Sequence, residues 1–104
     1  MKSKTITRVW HGRTRLEHRE EYLEFLIETG VADYKATSGN LSVRILRRTE
    51  GDVCHFWTVT TWDSVESIEK FAGEDYEKAK YYEEDKKYLL EFEPHVTHCE
   101  TFEF

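Results

Sequence analysis

Residues Val53–Phe71, VCHFWTVTTWDSVESIEKF, constrain this chain more than any other stretch. Alternating β-branched and aromatic residues run into Trp62-Asp63-Ser64, and a helical apolar pattern of Val65, Ile68, Phe71 and Ala72 begins at once. A strand therefore ends on an indole where a helix starts, with Asp63 or Ser64 placed to cap the free N–H groups of that helix.

Around it the chain resolves into further elements. Thr5–Thr14 reads as a first strand. Thr14-Arg15-Leu16-Glu17 has the form of a capping box, which predicts a helix to about Glu28, with Tyr22, Phe25 and Leu26 on its apolar stripe and Gly30 as its stop. Leu41, Val43 and Ile45 alternate with Ser42, Arg44 and Leu46 as a second strand. Glu50-Gly51-Asp52 then turns the chain into the Val53–Trp62 strand, giving a hairpin. Asp75 to about Phe92 is expected to be helical, Pro94 to end it, and His95–Phe104 to form a fourth strand. With no linker or repeat, residues 1–104 form a single domain.

The order β-α-β-β-α-β is the ferredoxin-like split pattern of an α+β fold, which places the first strand between the third and fourth. Cys54 and Cys99 would then lie two strand spacings apart, roughly 10 Å. That is too far for a disulfide. Helices on one side leave the other sheet face bare, and on the third strand that face carries Val53, His55, Trp57, Val59 and Thr61. An apolar face containing Trp57 and Val59 needs cover, and two such sheets packed face to face predict a homodimer.

A net charge of −6 argues against nucleic acid or an anionic membrane surface as partner. No apolar run is long enough to span a membrane and MKSKTITRV carries no signal-peptide core, so a cytoplasmic address is expected. The two cysteines lack CxxC spacing and read as packed thiols.

Five histidines raise the question of a metal. His95 and His98 point to opposite strand faces, whereas His11 and His55 fall on neighbouring strands and share the open face. Two imidazoles without a third ligand make a poor metal site, so no metal or cofactor is expected. Glu83-Glu84-Asp85 and Glu74-Asp75 read as solvated helix surface. There is no phosphate loop or nucleophile elbow. The remaining chemistry is aromatic. Trp10, Phe56, Trp62, Phe71, Tyr81 and Tyr82 converge on the helix side, where Phe56, Phe71 and Trp10 also suit a core. Trp62, Tyr81 and Tyr82 have polar edges fitted to a flat ligand.

The hairpin followed by Thr61-Trp62-Asp63-Ser64-Val65-Glu66-Ser67-Ile68-Glu69-Lys70-Phe71 resembles the strand–Trp–acid–Ser–helix motif of the antibiotic biosynthesis monooxygenase family. The resemblance extends from Arg8 to about Phe102. It implies a dimeric α+β barrel of ferredoxin-like subunits, with a pocket between sheet and helices in each. It also implies an activity among cofactor-independent oxygenation of phenols, haem degradation or none assigned. The residues of the haem-degrading branch are replaced here by Gly12, Phe71 and Tyr81, which argues against haem turnover. Of the phenol-oxidising set, Trp62 matches, while Thr58, Ile68 and Tyr82 stand in other positions.

Two functions remain open on this reading. One is a cofactor-independent monooxygenase acting on a small aromatic or phenolic substrate, with Trp62, Tyr81 and Tyr82 as donors and His55 or His11 as base if the open face contributes. The other is a non-catalytic dimeric module that sequesters or senses a small aromatic molecule.

Overall fold

The structure, a computed structural model, describes residues 5–104; the first four residues, part of the stretch read above for a signal segment, lie outside it. Four antiparallel strands form one sheet in the order β2-β3-β1-β4: β1 Thr5–Arg15, β2 Asn40–Glu50, β3 Val53–Trp62 and β4 Thr97–Thr101. This is the expected α+β sheet, with the first strand between the third and the fourth. Even-numbered residues of β1 and β3 point to the helices. Arg8, Trp10, Gly12 and Thr14 are buried there, as are Cys54, Phe56, Thr58, Thr60 and Trp62. Odd-numbered residues reach the open face and are mostly half-buried. Cys54 is buried on one side while Cys99 is exposed, and both are free thiols.

The hairpin closes at Gly51-Asp52, with Glu50 opposite Val53 and Gly51 at φ 63°, a conformation open to glycine. At the other end of β3, Ser64 caps α3 (Val65–Ala72), its Oγ accepting from the Ser67 N–H at 3.2 Å. Asp63 Oδ1 accepts from the hydroxyls of Ser67 at 2.6 Å and Ser64 at 3.0 Å, which holds its carboxyl below the usual range.

Four expectations are corrected. The capping box at Thr14 does not form, because the β1–β3 ladder continues to Arg15 opposite Val53 and keeps Thr14 extended. A single 3-10 turn follows, and α1 spans Arg19–Leu26. Gly30 does not stop the helical path. It sits buried inside a wide π-turn, Ile27–Val31, from which α2 (Ala32–Ala36) continues. The long helix expected after Asp75 is absent, apart from a 3-10 turn at Glu83–Lys87. Long-range bonds claim that backbone instead: Leu90 N–H donates to Arg13 O at 2.9 Å, Ala79 N–H to Pro94 O at 2.9 Å, and Val96 N–H to Glu77 O at 2.9 Å. The last strand is also shorter than expected, since β1 supplies partners only from Thr5 to Val9.

Two apolar clusters fill the space between sheet and helices. Trp10, Tyr22, Leu26, Cys54, Phe56 and Leu89 form one, and Tyr34, Trp62, Ile68 and Phe71 the other.

Candidate functional site

A small cavity of about 20 Å³ lies where the two clusters meet. Its walls come from β1 (Arg8, Trp10), the first helical arm (Tyr22, Leu26, Gly30, Tyr34), β3 (Thr58), α3 (Phe71) and the irregular stretch after it (Lys80, Tyr82, Asp85). The volume is water-sized, so a ring enters only if a wall yields. The irregular stretch has the fewest continuous backbone bonds and is the wall best able to do so.

The polar groups around this space are unusual for a core. Arg8 is 1% exposed, lies with its guanidinium carbon 5.3 Å from the centre of the Phe71 ring, and donates from Nη2 to Lys78 O at 3.2 Å. Its Nε has no partner among the described residues, and burial lowers the basicity of its guanidinium. The indole of Trp10 lies beside the Tyr81 hydroxyl, its N–H making no bond of full geometry among the described residues. Tyr34 shares a hydroxyl bond of 3.0 Å with Thr58; burial pushes its phenol up, and the nearby Arg8 charge partly offsets that. At the mouth, the Lys80 ammonium lies 4.4 Å from the centre of the Phe71 ring.

Asp85 is 3% exposed, against the reading of its acidic run as solvated surface. Its Oδ1 accepts from the Tyr22 hydroxyl at 2.7 Å and its Oδ2 from the Tyr82 N–H at 2.6 Å. Burial nevertheless raises its carboxyl above the ordinary range, and raises the phenols of Tyr22 and Tyr82 too. Tyr82 donates its hydroxyl to Asp33.

The structure divides the aromatic set proposed from sequence. Trp10, Phe71 and Tyr82 line the cavity. Phe56 is fully buried core. Trp62 is corrected from pocket wall to core: it is fully buried against Tyr34, Ile68 and Phe71, and its indole N–H donates to Thr60 Oγ1 at 2.8 Å, which leaves no edge for a ligand. Tyr81 packs edge-on against Trp10 and gives its hydroxyl to Glu93 O at 2.6 Å, outside the cavity lining.

His11 and His55 do come together, on the opposite face of the sheet. His11 Nε2 lies 2.9 Å from His55 Nδ1, His11 Nδ1 is bonded to Glu93 Oε2 at 2.6 Å, and His55 Nε2 to Glu50 Oε1 at 3.0 Å. Trp57 packs against both rings, with centroids 5.1 Å from His11 and 5.6 Å from His55. The sheet stands between this pair and the cavity, so neither imidazole reaches a ligand held there. Among the described residues no group of three or more His, Cys, Asp or Glu is arranged to hold a metal ion.

Sequence reasoning missed Arg8, Tyr34, Lys80 and Asp85. The signal for Arg8 was available, since the alternation that turns Trp10 toward the helices turns Arg8 the same way.

An α+β sheet backed by a helical arm, with a polar-edged cavity between them, places the chain structurally among known proteins. It superposes on a protein from Shewanella oneidensis with a TM-score of 0.62 at 13% identity, covering 96% of this chain and 93% of that one. A protein from Nitrosomonas europaea provisionally assigned as an antibiotic biosynthesis monooxygenase matches with a TM-score of 0.61 at 11% identity, over 97% of this chain and 90% of that one. A third, from Chloroflexus aurantiacus and similarly assigned, matches with a TM-score of 0.56 at 17% identity, over 96% and 93%. The chain therefore has the fold of the structures assigned to the antibiotic biosynthesis monooxygenases; at such identities the likeness speaks for the fold alone. No family model matches the sequence, and no curated protein matches it either.

Proposed function

We propose that this chain is a monooxygenase of the antibiotic biosynthesis type that oxidises a small phenol in the helix-side cavity without a bound cofactor. The observation that carries the reading is Asp85, a buried carboxylate kept on the cavity wall although burial penalises its charge. A group of that kind suits a general base. It takes the phenolic proton, and the electron-rich phenolate passes an electron to O₂. Recombination forms a C–O bond to the ring. Loss of the ring proton with cleavage of the O–O bond then releases water and leaves a quinone. One oxygen atom enters the ring and the other leaves as water, so the substrate itself supplies all the electrons. Trp10, Phe71 and Tyr82 would sandwich the ring. His11 and His55, on the far face, would serve a homodimer interface rather than the reaction.

The test is a screen of phenols and hydroquinones, following dissolved oxygen and quinone formation in metal-chelated buffer. Asp85→Asn keeps the shape of the carboxylate, and its amide can still accept from the Tyr82 N–H and donate to the Tyr22 oxygen. The expected result is a loss of turnover of at least ~10²-fold with binding retained. Binding without oxygen uptake in the wild type would point to a sequestering protein instead.

A further inference from the structure

The cavity contains a buried cation with no counter-charge. Among the described residues Arg8 forms no ion pair with a carboxylate; its Nη2 donates to the Lys78 carbonyl, the Tyr34 phenol lies beside its guanidinium, and its Nε is unpartnered. Both oxygens of the one carboxylate on the same wall, Asp85, are already engaged by Tyr22 and Tyr82. A guanidinium cannot shed its proton to escape burial, so its charge persists and its orphan donor stays costly until an acceptor arrives. The Lys80 ammonium adds positive charge at the mouth. The apolar part of the lining, Trp10, Phe71 and Leu26, suits a planar ring.

From this placement we infer that the cavity is an oxyanion site, in which Arg8 receives an ionised carboxylate or phenolate oxygen borne on a small aromatic ring. Guanidinium and oxyanion would neutralise each other where water is excluded, and the planar fork of Arg8 matches a two-oxygen group. This inference rests on the cavity being the site proposed above and names the charge its ligand must carry. Arg8 is then a binding residue for that charge, separate from the proton-taking role of Asp85.

The test uses benzoate and its neutral isostere benzamide as probes, by isothermal titration of the wild type at neutral pH and low salt. Benzoate should bind roughly ten- to a hundredfold more tightly than benzamide. Arg8→Met, which fills the same space without charge, should abolish the preference while circular dichroism shows the fold intact. Equal binding, a preference for benzamide, no binding of either probe, or a preference that survives in a folded Arg8→Met protein would each overturn the inference. The wild-type comparison decides if that variant does not fold. A set of nitrophenols, whose phenolates are coloured, separates phenolate from carboxylate as the preferred source: bound phenolate should ionise at lower pH than free. Arg8-dependent benzoate binding without oxygen uptake on any phenol would leave this inference standing and remove the oxygenase. Oxygen uptake without any preference for anions would do the reverse.

Discussion

At the residue scale the cavity is governed by two charges that a stability-driven core would avoid. Arg8 and Asp85 are both at least 97% buried and bond to other partners, not to each other, which isolates each for a ligand or a proton. Asp85 makes a prediction about pH. Its folded-state value lies above the ordinary 3.8 of an unfolded aspartate, so protonation favours the folded chain. That contribution is fully present below about pH 4 and is lost as pH rises through the raised value. Asp85→Asn has no such dependence. In urea unfolding from pH 4 to pH 7, the stability of Asp85→Asn minus that of the wild type should therefore grow with pH. A constant difference would mean that the carboxylate is not penalised by burial. Nothing in the run Glu83-Glu84-Asp85 marks its third residue as buried, because the bonds that bury it come from Tyr22, 63 positions away, and from a turn that replaces the expected helix.

At the element scale, what could be read from sequence was what local chemistry decides. The β2–β3 hairpin, the central place of β1 and the Ser64 cap follow from period-2 alternation, a glycine turn and a short hydroxyl side chain. The elements that failed were those decided by distant partners. Thr14 is held in the ladder by β3, and the stretch from Asp75 to about Phe92 has helical spacing but spends its backbone on Arg13, Pro94 and Val96. Trp62 shows the same limit within one element. Its parity was legible, but its enclosure by Tyr34 was not, because Tyr34 arrives only where the helical path passes Gly30 without stopping. Gly39 offers a direct check on how the β3–α3 corner is built. It adopts φ 96°, its carbonyl accepts from the Asp63 N–H at 3.0 Å, and a Cβ there would collide with the Ser67 side chain inside the cap network. Gly39→Ala should cost at least about 2 kcal/mol in chemical denaturation, through backbone strain and a displaced Ser67. A cost below a few tenths would show that the corner relaxes freely.

At the scale of the whole molecule, the two sheet faces divide the work. The helix side holds a cavity built entirely by one chain, while the open face carries the Trp57–His11–His55 stack beside Leu46, which is 49% exposed. Three hydrogen bonds join Glu93, His11, His55 and Glu50 in series, so every ring nitrogen of the pair has a partner. Such a stack, with its ring nitrogens already bonded, can be covered by a second sheet without stranding an imidazole donor or acceptor, and a partly exposed indole beside a leucine gains by being covered. The homodimer expected from the β3 alternation should therefore join through this face. Light scattering at low micromolar concentration should return twice the 12.5 kDa of one chain. Trp57→Glu places a third carboxylate beside Glu50 and Glu93 and should yield a monomer, because an unpaired charge in a dry interface is costly. Since no open-face residue lines the cavity, that monomer should keep its circular dichroism and its affinity for benzoate. A wild type that runs as a stable monomer would refute the dimer, and a Trp57→Glu protein that stays dimeric would move the interface to another surface. Loss of benzoate affinity in a folded Trp57→Glu monomer would mean that the partner chain helps to hold the cavity wall closed.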